Sequence, residues 1–167
     1  MKKNTLRITL AAVIAAVYVA LTLLINAFDL ANGAIQVRVS EALTVLPYFT
    51  PAAIPGLTIG CLLANIFTGC AAGDIIFGSF ATLLGAIGTY CIGKLSVCKK
   101  KGAILCTLPP VIANTLIVPF VLKYVYGMPQ SIPVLMGFLA IGEIISCCIL
   151  GGLLLGALRK SKVKFEA

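Results

Sequence analysis

The sequence predicts an all-α integral membrane protein, a single domain over residues 1–167 with six transmembrane helices and both termini cytoplasmic. Three observations carry that prediction. First, 60% of the 167 residues are hydrophobic and only 11% are charged, whereas a soluble domain carries about 25% charged residues. Such a chain lacks the polar surface to dissolve. Second, its apolar runs are continuous rather than alternating, which suits helices and excludes a β-barrel. Third, the 13 Lys and Arg outnumber the 5 Asp and Glu, and they cluster where only an even number of crossings puts them on one side.

The first span covers residues 6–26, behind Lys2, Lys3 and Arg7. Its apolar stretch, Ile8 to Ile25, exceeds the roughly 7–15-residue core of a secretory signal, so it reads as an uncleaved helix. Residues 74–94, 103–123 and 132–158 are long enough to cross. Between them, residues 40–70 are interrupted by Pro47, Pro51 and Pro55, and form either one kinked span or two short ones, 40–50 and 56–69. Charge decides. With two spans there, every Lys and Arg except Arg38 and Lys123 lies on the inner side, as the positive-inside rule demands. The turn near Thr50–Pro55 is then cytoplasmic, and segments 27–39, 69–73 and 124–131 face outward. Residues 56–69 would reach only about 21 Å as a straight helix, short of a hydrocarbon core of about 30 Å. Backbone groups freed by such short, Pro-broken helices must face protein or a cavity, which points to a cavity opening outward.

Several functions are excluded at once. The chain has no His, hence no imidazole base, no His-paired nucleophile and no His-ligated metal or haem. Its seven Cys (61, 70, 91, 98, 106, 147 and 148) include no CxxC pair and read as small packing residues. No cofactor or metal is implied, and the basic excess reads as topology rather than nucleic-acid binding. Residues 88–94, GTYCIGK, match most of a phosphate-binding loop, but Leu95 replaces its Ser/Thr and no strand precedes it. The pairs Gly56/Gly60 and Gly152/Gly156 have GxxxG spacing and are expected to pack helices within the molecule. Ala12, Ala16 and Ala20 lie four apart on one face of the first helix, beside Ala11 and Ala15. Such a small-residue stripe packs either internally or against a partner.

Few polar residues lie within the spans. Glu143 is midway through the last and Asn114 midway along the fifth, while Asn65 and Asp74 are near outer ends. A carboxylate at bilayer depth costs roughly 2.5–3.5 kcal/mol, so it faces a cavity or a partner. In the stretch QVRVSEALTVLP, residues 36–47, Arg38 and Glu41 are spaced to pair across one helical turn. Ser40 is placed to cap the helix. The same loop could instead close over a ligand with Gln36 or Glu41.

That stretch resembles the signature of the QueT family of small bacterial membrane proteins. Length, six spans, basic termini and the alanine-rich first helix are similar throughout the chain, although these are shared by substrate-binding S-components of energy-coupling-factor (ECF) importers in general. The resemblance implies an S-component-like bundle in the bacterial cytoplasmic membrane, taking up a queuosine precursor such as 7-aminomethyl-7-deazaguanine. It implies that Ala12, Ala16 and Ala20 dock on a membrane coupling protein, and that two separate ABC ATPases hydrolyse ATP. The chain itself would not be an enzyme.

The chemistry of a deazapurine cargo then sorts the candidates. Its N1–H and exocyclic amine are adjacent donors that one carboxylate can accept, and its aminomethyl group is cationic. Glu143 is expected at the guanine-like edge, with Glu41 or Asp74 near the ammonium. Asn114, Asn65 and Gln36 are candidate donors to the carbonyl, Arg38 belongs to the same loop, and Tyr48, Phe77 or Phe80 could stack on the ring. Other readings remain: an S-component for another vitamin or purine-like compound, a membrane enzyme using Glu143 and Asp74 as acid and base, or a non-catalytic scaffold or small exporter.

Overall fold

The structure is a computed structural model that describes residues 2–27, 37–95 and 103–161. Gln36 lies outside the described residues, as do Cys98, the lysines at 99–101 and those at 162 and 164. Among the described residues all regular structure is helical. Helix α1 runs Lys2–Ala27, followed by a 3-10 helix Val39–Tyr48, α2 at Ala53–Phe67 and α3 at Ala72–Gly93. A 3-10 turn, Ala103–Thr107, leads into α4, Leu108–Tyr124. Finally α5, Ile132–Glu143, continues through a π-helical segment, Ile144–Leu150, into α6, Gly151–Lys160. Lys3–Ala27, Ala72–Gly93, Leu105–Tyr124 and Ile132–Lys160 are long and apolar enough to cross a membrane, and Ala53–Phe67 is a shorter apolar helix.

Local sequence explains the breaks. Pro47 lies in the last turn of the 3-10 helix, where it removes one backbone donor, and Pro51 and Pro55 bracket the start of α2. Gly69 turns the chain between α2 and α3 with φ +72°, a conformation that costs glycine little. Pro109 and Pro110 open α4 in its first turn, where a missing N–H is harmless.

The Val39–Tyr48 helix is the centre of the bundle. Ser40 to Pro47 are all buried, and α1, α2, α3, α6 and the π-helical segment pack around it. At about 2.0 Å per residue it is only about 20 Å long. The adjoining apolar core comprises Tyr18, Leu43, Leu46, Leu57, Cys61, Ala64 and Ala86. A second cluster of Val118, Leu122, Leu135 and Leu139 joins α4 to α5.

Helices α1 and α2 approach closely through Gly56 and Gly60, as the spacing of that pair suggests. A Cβ on Gly56 would lie 2.7 Å from the Ala11 carbonyl oxygen, and one on Gly60 would lie 2.8 Å from Tyr18 Cβ. Gly152 and Gly156 do not pack internally: nothing lies within 4 Å of either Cβ position. The would-be phosphate loop is helical, with Gly88 and Gly93 inside α3, where Gly88 abuts Pro109 and Gly93 abuts Tyr48. Ser40 does not cap the 3-10 helix either. Arg38 occupies the cap position with no side-chain cap bond, and Ser40 Oγ instead accepts a 2.9 Å hydrogen bond from Thr22 of α1.

The two ends of the bundle differ in charge. At one, Arg159 reaches Tyr48, Lys94 lies 4.2 Å over the Tyr90 ring, and Arg7 lines a groove with Pro51 and Pro55. The start of α1 and the end of α6 therefore share that end. Arg38 and Lys123 lie towards the other.

Close α1–α2 packing makes Gly60 sensitive and Gly152 tolerant. In detergent, Gly60→Ala is expected to cost about 1–3 kcal/mol through overpacking. Gly152→Ala, in open space within a helix, is expected to be neutral or stabilising by up to about 1 kcal/mol. Paired thermal-unfolding curves check both; equal effects would contradict the packing described.

Candidate ligand-binding site

A cavity of about 220 Å³ lies at the end carrying Arg38. Four pieces of chain build it. The last turns of α1 supply Thr22, Ile25 and Asn26, and the segment entering the 3-10 helix supplies Arg38, Val39 and Ser40. The α2–α3 connection supplies Asn65, Thr68, Cys70 and Asp74, and the end of α4 and the following loop supply Leu122, Tyr126 and Met128.

Asp74 is its acidic pole. The residue is only 4% exposed and sits in the first turn of α3, where the helix dipole favours a carboxylate. Its Oδ2 accepts a 3.2 Å hydrogen bond from the Tyr126 hydroxyl and lies 3.9 Å from Arg38 Nη2. Its Oδ1 is buried without a hydrogen-bond partner. The Tyr126 oxygen also accepts from the Ala71 amide at 3.0 Å, tying the loop after α4 to the start of α3. Burial pushes the Tyr126 hydroxyl up to about 12, so it stays protonated and able to donate. Asn65 Nδ2 donates to the Asp74 carbonyl at 3.4 Å.

A second polar cluster, whose side chains are not among those lining the cavity, begins at the residue after Ser40. Glu41 follows Ser40 and is 1% exposed; Glu143, at the end of α5, is 4% exposed. The Tyr18 hydroxyl, one helical turn from Thr22, donates to Glu41 Oε1, while Glu41 Oε2 is buried with no hydrogen-bond partner. The Cys147 thiol, in the π-helical segment, donates to Glu143 Oε2 at 3.3 Å. One ligating atom each from Glu41, Glu143 and Cys147 lie within 4.8 Å of one another, close enough in principle to hold a cation. The buried Asn114 on α4 interacts with both carboxylates.

The sequence-derived candidates therefore separate. Arg38, Asn65 and Asp74 line the cavity, and Glu41, Glu143 and Asn114 form a separate buried cluster. The expected Arg38–Glu41 pair across one turn is replaced: the ion pair of Arg38 is with Asp74, and Glu41 turns to Tyr18. Arg38 is the extended residue that precedes the 3-10 helix, with φ −97° and ψ 97°, so the spacing of one helical turn does not apply to it. The three aromatic candidates lie elsewhere. Tyr48 is at the opposite end, edge-on to Phe49 and 5.0 Å beneath the Arg159 guanidinium. Phe77 and Phe80 are half-exposed on an outer apolar groove between α3 and α4. Ala12, Ala16 and Ala20 form the exposed face of α1, while Ala15 and Tyr18 on its other face are buried. Sequence reasoning missed Tyr18, Tyr126 and Cys147. A tyrosine within the apolar run of the first helix was the available signal for Tyr18; the other two depend on which helices meet.

Comparison with known proteins adds the following. The family model described as QueT transporter matches residues 8–160. A curated relative, the "Queuosine precursor transporter QueT" of Lactococcus lactis subsp. cremoris, is 37% identical over 83 residues. That alignment covers 50% of this chain and 48% of the relative, so the chain spans about half the length of the curated relative it matches. No solved structure matches this chain.

The Tyr18–Glu41 hydrogen bond holds a carboxylate in the interior. Tyr18→Phe leaves that oxygen unsatisfied, and is expected to destabilise the detergent-solubilised protein by about 1–3 kcal/mol. Thermal unfolding checks this, and an unchanged melting point would show that the bond contributes nothing.

Proposed function

Because the chain belongs to the QueT transporter family, we propose that it is the substrate-binding S-component of an ECF-type ABC importer. Its proposed cargo is a queuosine precursor, 7-aminomethyl-7-deazaguanine or a close analogue. The observation that carries the reading is the family match together with a polar cavity, holding the Arg38–Asp74 pair, at the end of the bundle opposite Arg7, Lys94 and Arg159. In this reading the cavity opens outward. Arg7, Lys94, Arg159 and Lys160 then lie in the cytoplasm, and the chain crosses the bacterial cytoplasmic membrane six times with both termini inside.

The size of the cavity suits the cargo. Drug-sized ligands occupy about 300–1,000 Å³, so 220 Å³ favours a free base over a nucleoside. Its polar groups suit it as well. Asp74 Oδ1 is an unused acceptor for ring N–H donors, and Arg38 or Asn65 can donate to the ring carbonyl. Glu41, Glu143 and Asn114 do not line the cavity, and the reading takes their buried cluster as its inward extension. The cargo assignment also draws on the name of the Lactococcus relative, which is that of a queuosine precursor transporter.

Nothing in this reading asks the chain to hydrolyse ATP. Two ABC ATPases and a membrane coupling protein would supply that step, with the coupling protein seated on Ala12, Ala16 and Ala20. Support for that seat is the exposure of all three residues and the close helix approach that small residues permit.

Melting of the purified protein with a ligand panel tests the cargo. A compound that binds only the folded state adds about 2.7 kcal/mol at 100 times its dissociation constant. The expected result is a rise with 7-aminomethyl-7-deazaguanine and none with riboflavin, thiamine or biotin. A rise with one of those vitamins alone would replace the cargo, and no rise with any compound would contradict the S-component reading.

A further inference from the structure

We propose that Glu41 and Glu143 form an ammonium subsite, in which one protonated primary amine of the ligand bridges the two carboxylates. This rests on the queuosine-precursor reading and specifies where the amine of such a cargo goes. It also moves Glu143 from the guanine-like edge, where its position in the sequence suggested it, to the aminomethyl arm.

The first argument is charge. Two carboxylates whose ligating atoms lie within 4.8 Å, on residues 1% and 4% exposed, repel each other in a medium that solvates them poorly. Arg38 acts on both, but its ion pair is with Asp74 in the cavity wall. Such a pair holds either a shared proton or a cation, and a ligand ammonium would take the proton's place. Glu41 Oε2, buried and without a hydrogen-bond partner, is the acceptor left open for it.

The second argument is geometry. An ammonium carries three tetrahedral donors, and at about 2.7–2.9 Å to each acceptor it spans oxygens roughly 4.5 Å apart. Tyr18 already holds Glu41 Oε1 and Cys147 holds Glu143 Oε2, which leaves Glu41 Oε2 as the open acceptor of the pair. In the cavity wall Asp74 Oδ1 is open in the same way. The proposal seats the ring beside Asp74 and directs its aminomethyl arm to the pair, past Ser40, the cavity residue that precedes Glu41. An organic ammonium also fits the Cys147 thiol better than a metal ion does. The thiol donates to Glu143 in this arrangement, whereas a metal would need the thiolate.

Calorimetric titration of the full chain in detergent tests the subsite with three ligands: 7-aminomethyl-7-deazaguanine, its N-acetylated derivative and the 7-cyano analogue. The amine is expected to bind at least about tenfold more tightly than either neutral compound. Glu143→Gln and Glu41→Gln are each expected to weaken the amine much more than the neutral compounds, shrinking that preference. Equal or tighter binding of a neutral compound to the unsubstituted chain overturns the subsite, and needs no variant to fold. A preference that survives intact in both folded variants overturns it too. Zinc chloride or sodium chloride that raises the melting point of the unsubstituted chain, but not of Glu143→Gln, assigns the pair to a metal ion instead. If none of the three deazaguanines binds, the cargo reading itself falls, and the subsite with it.

Discussion

Two carboxylates buried side by side in an apolar helix bundle are the constraint around which this molecule is arranged. Each unpaired carboxylate at that depth would cost several kcal/mol, so the surrounding chain supplies donors to both. Tyr18 of α1 supplies one to Glu41, Cys147 supplies one to Glu143, and Asn114 interacts with both. Three unusual backbone features serve that arrangement. The helix carrying Glu41 is a 3-10 helix buried along most of its length. The helix carrying Glu143 passes directly into a π-helical segment that brings Cys147 one turn on; such segments recur at functional sites. Pro47 sits within the last turn of the central 3-10 helix.

The first helix links the two jobs proposed for the protein. Its inner face is fixed by Ala11 and Ala15 against Gly56 and Gly60, and by Tyr18 and Thr22, whose hydroxyls reach Glu41 and Ser40. Its outer face presents Ala12, Ala16 and Ala20 to the surroundings. In the proposed reading this helix touches the ligand site on one side and the coupling protein on the other, which suits it to report occupancy. It needs no long relay to do so, since one hydroxyl separates the helix from the buried acid.

Much of the architecture was legible because membrane insertion is governed by composition. Apolar length marked the long helices, and Pro47, Pro51 and Pro55 marked the break between the short ones. Glu143, Asn114, Asn65 and Asp74 stood out because polar residues inside apolar runs require a reason. What was not legible depended on helix type and rotation. Spacing of three suggested that Arg38 would pair with Glu41, but Arg38 is the extended residue before the helix and its ion pair is with Asp74 at the start of α3. Aromatic residues were chosen as stacking partners by depth alone. Yet Phe77 and Phe80 lie on the outer side of α3, a matter of helical phase that hydrophobic residues on every face leave open. Gly56/Gly60 and Gly152/Gly156 share one spacing, and only the first pair meets another helix.

The central claim is that the cavity and the buried acid pair together form one ligand site. An experimental structure of the protein in a lipid nanodisc with 7-aminomethyl-7-deazaguanine tests it most directly. The account predicts the ring in the cavity beside Asp74 and Arg38, with the amine nitrogen within hydrogen-bonding distance of both Glu41 and Glu143. An empty cavity with the ligand bound elsewhere, or a ligand seated with its amine pointing away from both glutamates, would contradict it.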